Sequence, residues 1–400
     1  MRSEAFAAEF TLAAACCRPP GQERDAVVRA SAVGIDWGRF ERVVARHRIE
    51  GLVHAALRAA GVALPESAAR TLARAAGATA RAGLRLAAET GRLQALLDGA
   101  GIDNLVLKGA TLDILAWGQI GLKRSWDIDL LVSGSRASAA LTVLEQEGYR
   151  LKSPIHDAPG ALETWVGLTK EAVFHHPARD HVVELHWRLA DVATLLPGLS
   201  VCSNTQTVSL GPTLSLRTLA EDELFAYLCV HGTSHAWSRL KWLADLGALA
   251  TRYDEAGRER LYRQAAGPLG AGRCPATALL LCERLLGVAL PSGCAAEIRA
   301  DRGAARLARI ALDALTGGEL SERALGPERV LISYFLFAGG GRFRLAEWNR
   351  QWVSLDDRMR LRLPPWLAFI YGVVRIPLWI WRRLRRLSTR PFRAPPEAGM

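Results

Sequence analysis

Asp127-Ile128-Asp129-Leu130-Leu131-Val132 places two carboxylates one residue apart at the head of an unbroken apolar run. The run predicts a strand, and alternate residues of a strand share a face, so both carboxylates point the same way, roughly 6 to 7 Å apart along the backbone. Aspartate is depleted in strands and two nearby carboxylates repel, so the pair needs a counter-charge. A bound Mg2+, or Mn2+ in its place, would provide one. Salt bridges from Lys123 or Arg124, just upstream, are the other solution.

Outward from this strand the chain alternates between sheet and helix patterns. Upstream, Asn104 to Leu107 is a short apolar run that turns at Lys108-Gly109 into a helical pattern through Leu112, Leu115 and Ala116. Downstream, Ser135 to Glu147 carries helical spacing in Ala140, Leu141 and Leu144. Glu171 to His176 and His181 to Trp187 flank Pro177-Ala178-Arg179-Asp180, which predicts a hairpin. Residues 102–190 thus read as a small α/β unit. Helical spacing fills the stretch before it, in Phe40, Val43 and Val44 and again in Leu86, Leu93, Leu96 and Leu97. After it, Thr218-Leu219-Ala220-Glu221 has the form of a capping box ahead of Leu224, Phe225 and Leu228.

A third acid joins the pair. In Val182-Val183-Glu184-Leu185-His186-Trp187, alternation puts Val183, Leu185 and Trp187 on one face and Glu184 and His186 on the other. Three carboxylates can hold two divalent ions, one activating an attacking hydroxyl and one stabilising the leaving phosphate oxygens. His186, two residues from Glu184, is placed to support such a site from behind.

Leu105-Val106-Leu107-Lys108-Gly109-Ala110, then Arg124, then Asp127-Ile128-Asp129-Leu130-Leu131-Val132, then Glu184-Leu185-His186-Trp187 resemble, in that order, the bacterial family of uncharacterised nucleotidyltransferases. His231-Gly232 and Trp237-Ser238-Arg239-Leu240-Lys241-Trp242-Leu243-Ala244-Asp245-Leu246 resemble that family's helical domain, and Arg46-His47-Arg48 is an N-terminal echo. The resemblance implies an α+β fold: a small mixed-sheet nucleotidyltransferase core over 99–190, between an N-terminal helical domain over 1–98 and a helical domain over 191–315. A C-terminal helical segment with a basic tail would occupy 316–400. It implies that Asp127, Asp129 and Glu184 bind the metal and carry catalysis, and that Gly109 opens a helix near the nucleotide phosphates, where a helix N-terminus favours an anion. Lys108 adds charge there, and Arg124 is a candidate phosphate partner. Lys241 either reaches the triphosphate or pairs with Asp245 one helical turn on. Where the wider superfamily has a Gly-Ser pair, Lys108-Gly109-Ala110 offers no hydroxyl. The expected reaction moves a nucleoside monophosphate from an NTP to a small molecule, sugar, peptide or protein hydroxyl. The rival is a non-catalytic relative that keeps the fold as a scaffold.

The chain has 400 residues, half of them hydrophobic, enough for a sizeable core. Its formal charge of +11 is concentrated late, with seven arginines and no acid between Arg375 and Arg393, so nucleic acid is not the expected partner. Tryptophans beside Arg382, Arg383, Arg385 and Arg386 suit either peripheral contact with an anionic membrane or a helix docked on the protein. Arg375 and Pro377 interrupt the apolar run, so no transmembrane helix is expected. Seven cysteines without a C-x-x-C, and an N-terminus without a basic n-region, fit a reducing cytoplasm.

Overall fold

The computed structural model describes residues 6–153, 161–316 and 331–352, with Leu367 and Ile370. The rest of the tail, including its tryptophans and arginines, lies outside the described residues. The chain forms two compact units, Met1–Phe343 and Arg344–Met400. In the second, Glu347 and Arg350 of the helix Gly341–Trp352 pair at 2.7 Å.

The first unit opens with five helices, α1 (Ala8–Cys16), α2 (Gln22–Ser31), α3 (Trp37–His47), α4 (Glu50–Ala59) and the long α5 (Glu66–Gly99). Asp36 caps α3 by accepting the Arg39 amide at 2.9 Å, as an N-terminal aspartate should. The end of α5 is bolted to the sheet. Gln94 Oε1 accepts the Arg217 amide at 2.9 Å, and Asn104 Nδ2 donates to Asp98 at 2.9 Å.

Seven strands form one mixed sheet: β1 (Asn104–Val106), β2 (Asp127–Val132), β3 (Arg150–Ser153), β4 (Glu171–His176), β5 (His181–His186), β6 (Thr205–Gly211) and β7 (Leu214–Leu219). Their order is β3-β4-β5-β2-β1-β7-β6. The central β2 runs antiparallel to β1 and parallel to β5. All of Ile128 to Val132 is buried, which explains the unbroken apolar run: a central strand covered on both faces does not alternate. Interleaved are α6 (Ala110–Trp117), α7 (Ala137–Gln146) and α8 (Ala161–Leu168). The helices that follow the sheet among the described residues include α9 (Glu221–Ser234), α10 (Leu240–Ala250), α11 (Glu255–Ala266), α12 (Cys274–Leu281), α13 (Ser292–Ala300) and α14 (Arg302–Thr316).

The hairpin expected at 177–180 joins β4 to β5. The capping box at Thr218 is overturned. Thr218 lies in β7, fully buried and paired with Val106, while α9 starts at Glu221 behind Ala220, which makes no side-chain cap. Strands β3, β6 and β7 were not expected. In β7 the apolar Leu214, Leu216 and Leu219 sit beside polar Ser215, Arg217 and Thr218, a short and imperfect alternation that helical spacing nearby obscures.

The loop from α6 to β2 is held by a close backbone approach. Leu52 donates to the Leu122 carbonyl at 2.8 Å, and a Cβ on Gly51 would meet the Leu122 backbone at 2.7 Å. Because backbone cannot swing aside, Gly51→Ala is expected to cost about 1–3 kcal/mol in chemical denaturation. Unchanged stability would show that the loop is not clamped there.

Candidate active site

Adjacent parallel strands bring the acids together. In the β2–β5 register Asp129 lies opposite Glu184, and Leu131 opposite His186. In the β4–β5 register Glu171 lies opposite His186. One donor atom each from Asp129, Glu184 and His186 falls within 4.8 Å of the other two. His186 Nε2 is 3.3 Å from Asp129 Oδ1 and 3.6 Å from Glu184 Oε2, and its Nδ1 is 3.1 Å from Glu171 Oε2.

Asp127 sits on the other side of this group. Lys108 Nζ lies 2.6 Å from Asp129 Oδ2 and 3.4 Å from Asp127 Oδ2. The counter-charge to the aspartate pair is therefore Lys108, not Lys123 or Arg124. Gly109, next in sequence, is the N-cap of α6 at φ 79°, ψ −128°, a conformation that side chains resist, and no atom would lie within 4 Å of a Cβ there. The open space leaves the first amides of α6 approachable beside the acids.

The electrostatics follow from burial and crowding. Burial, with Asp127 adding repulsion, pushes the Asp129 carboxyl up to about 6 despite Lys108. Burial acts the same way on Asp127 and Glu184, but Lys108 outweighs it at Asp127, and His186 with Lys108 outweighs it at Glu184, so both are held below the ordinary range. Burial disfavours an imidazolium at His186, yet its bonds to Asp129 and Glu184 lift it to about 9. The cluster thus collects acids and compensates them with two cations. Tyr227 is buried beside it, within the field of Asp129, Glu184 and Glu171, and its hydroxyl has no hydrogen-bond partner among the described residues.

A narrow cleft is lined by Lys108, Gly109, Ser125, Asp127, Asp129, His231, Lys241 and Trp242 among others. Lys241 is buried, and its Nζ donates to the Arg124 carbonyl at 3.1 Å. It does not pair with Asp245. That carboxylate takes Lys123 at 3.3 Å and the Trp117 indole at 2.9 Å, while Lys123 also pairs with buried Asp113. The Arg124 side chain turns away from the cleft, to Glu50 at 3.0 Å and the Ala45 carbonyl at 2.8 Å. His231 and His235 pack against Trp242, with ring centroids at 5.7 and 5.1 Å.

The N-terminal Arg46-His47-Arg48 has a structural role. Burial pulls the His47 imidazole down to about 3, so it is neutral, and its Nδ1 accepts the Leu240 amide at 3.1 Å. That satisfies one of the unbonded amides at the start of α10 and sets Lys241 in place. Arg46 reaches the Ala314 and Leu315 carbonyls at the end of α14 at 2.6 and 2.7 Å. Arg48 stacks 4.1 Å over Trp126, which is exposed beside Asp127. Sequence reading missed Glu171, although the register of the predicted β4–β5 hairpin sets it opposite His186, and it missed Tyr227 and the Lys123–Asp113–Asp245 group, which come together only through helix packing.

The protein thus combines a mixed seven-stranded sheet with an acidic group, spaced as metal donors are, on two parallel strands beside a helix N-terminus. Residues 34–287 match the family described as uncharacterised nucleotidyltransferase, and the chain belongs to that family. No curated protein matches it. Among the described residues, no helix is long and apolar enough to cross a membrane.

Proposed function

We propose that this protein is a divalent-metal-dependent nucleotidyltransferase that moves a nucleoside monophosphate from an NTP to an acceptor hydroxyl. The observation that carries the reading is the register of Asp129 against Glu184, which gathers carboxylates around His186 beside the opening of α6. The site fits a cation: its donors are close enough to share one, its acids are crowded, and the Tyr227 hydroxyl has no hydrogen-bond partner among the described residues. Asp129 and Glu184 would hold it, with Asp127 at the cleft side. Mg2+ or Mn2+ bound there would stabilise charge on the phosphate oxygens.

The chain's own groups do the rest. Gly109 and the first amides of α6 receive phosphate oxygens, and Lys108 and Lys241 add positive charge from two sides of the cleft. Arg124 contributes through its backbone carbonyl, which holds the Lys241 ammonium. Glu184, kept ionised, orients the acceptor hydroxyl and takes its proton. The hydroxyl oxygen bonds to the α-phosphorus, the bond from that phosphorus to the bridging oxygen breaks, and pyrophosphate leaves. The acceptor is a small molecule, sugar, peptide or protein; nucleic acid is not proposed.

Incubation with α-labelled NTPs, Mg2+ or Mn2+ and cell extract tests the reading, which requires label in an acceptor product. No nucleotide binding under any metal condition would sink it. Lys108 pairing with both aspartates, where a second ion would otherwise sit, favours a second reading, a non-catalytic member that binds without turnover. NTP binding with no labelled product across all acceptor fractions would select it.

Lys241 makes a pH prediction. Burial, reinforced by Lys108, Arg48 and Lys123, pulls its ammonium down to about 7 against the pull of Asp127. The amine is charged below that point and neutral above it, and a triphosphate prefers the charged form. NTP affinity measured by calorimetry is therefore expected to weaken as pH rises above about 7, by up to about tenfold per unit, with Lys241→Met flattening the profile. A wild-type profile already flat over that range would remove Lys241 from the phosphate site.

A further inference from the structure

We infer that the cation is held through nitrogen as well as oxygen, with His186 Nε2 joining Asp129 and Glu184 and Glu171 setting the ring from behind, a donor set that selects Mn2+ over Mg2+. The inference rests on the metal-dependent reading above and specifies its centre.

Two donors each about 2.1 Å from one ion lie no more than about 4.2 Å apart. His186 Nε2 meets that limit with both carboxylates, at 3.3 and 3.6 Å. The three side chains come from neighbouring positions of two paired central strands, so their spacing is fixed by the sheet rather than by a loop. Asp129 divides its oxygens: Oδ2 faces Lys108, while Oδ1 faces His186. An ion between Asp129, Glu184 and His186 therefore does not require Lys108 to leave.

The far side of the ring has the feature that marks a metal-bound histidine, a carboxylate at its second nitrogen. Glu171 Oε2 is 3.1 Å from Nδ1, and it arrives there because β4 sets Glu171 opposite His186. Both atoms are buried and neither has an aligned hydrogen bond among the described residues, while Lys170 Nζ lies 3.3 Å from the same Glu171 oxygen as a counter-charge. A ring turned toward an ion would align them. The Tyr227 hydroxyl, also buried and without a partner, would serve a water on the same ion. Mg2+ prefers oxygen donors and gives up its waters reluctantly, whereas imidazole favours later divalent metals; Mn2+ accepts both donor types.

The test loads the full chain with Mn2+ alone and reads pulsed electron paramagnetic resonance. The expected spectrum shows the coupling of one directly bound 14N, replaced by a 15N pattern when histidine is 15N-labelled. In competition Mn2+ should bind at least about tenfold tighter than Mg2+. His186→Gln should lose the coupling and the preference. Glu171→Gln, which leaves the donors in place, should shift the coupling and weaken Mn2+ binding by about 10- to 100-fold. That second variant keeps the idea testable if His186→Gln does not fold. Mn2+ bound and lost in Asp129→Asn, yet with no nitrogen coupling in wild type, would overturn the histidine ligand and leave the nucleotidyltransferase reading standing. Coupling unchanged in His186→Gln would overturn it equally. No Mn2+ or Mg2+ binding at all would overturn both.

Discussion

Asp129→Asn is expected to lower turnover of labelled NTP by about 10³-fold or more while the chain stays folded. Asp129 is the residue on which the site converges: one oxygen faces Lys108, the other faces His186, and Glu184 stands opposite in register. Removing its charge leaves a cation with too few anionic donors, and several kcal/mol of lost transition-state stabilisation is about a thousandfold in rate. Asparagine keeps the volume, and Asp127 remains to pair with Lys108, so a buried amine is not abandoned. Single-turnover transfer of label, with circular dichroism as a control on folding, is the measurement. A folded variant retaining more than about a tenth of wild-type turnover would exclude Asp129 as a metal ligand.

Lys123→Met should cost about 3–5 kcal/mol of stability, because it removes a buried cation that pairs with two buried acids. Lys123 is 4 % exposed and bridges Asp113 of α6 to Asp245 of α10. Asp113 also accepts the Gly121 amide at 3.2 Å, and Asp245 accepts the Trp117 indole. The group therefore ties α6, the loop leading to Asp127, and the helix that carries Lys241. The loss should depend on pH. Burial already raises the Asp245 carboxyl to about 6 against the pull of Lys123, and without that lysine it rises further. Near pH 5 it is protonated and no longer demands a cation, so the cost should be largest above neutrality and shrink in acid. Denaturant titrations at the two pH values measure this. Equal losses at both would show that the lysine acts by packing alone, and adding Asp245→Asn should restore part of the stability at high pH.

Much of the site was legible because strand alternation is a local property. It aligned Asp127 with Asp129 and put Glu184 and His186 on one face of β5, and the Lys108-Gly109 turn showed as a break between a strand and a helix pattern. The expected partners were less legible. Arg124 points its guanidinium at Glu50 and Ala45, more than seventy residues back in the chain. Lys241 and Asp245 share a helix face at pairing distance in sequence, yet burial gives each a different partner. Thr218 matched a helix cap in its local pattern, but it is buried in β7, because pairing and burial of the whole strand between β1 and β6 outweigh a single cap.

The mixing of helix and strand, the carboxylate strands and the turn before α6 are local features, written in periods of two or a few residues and so readable from the chain alone. Long-range packing settled that Lys108 pairs with both aspartates, that Lys123 joins Asp113 to Asp245, and that a neutral His47 starts the helix bearing Lys241. Those outcomes depend on strand register and helix docking. Both are set by burial summed over the whole core, which no short stretch of sequence contains.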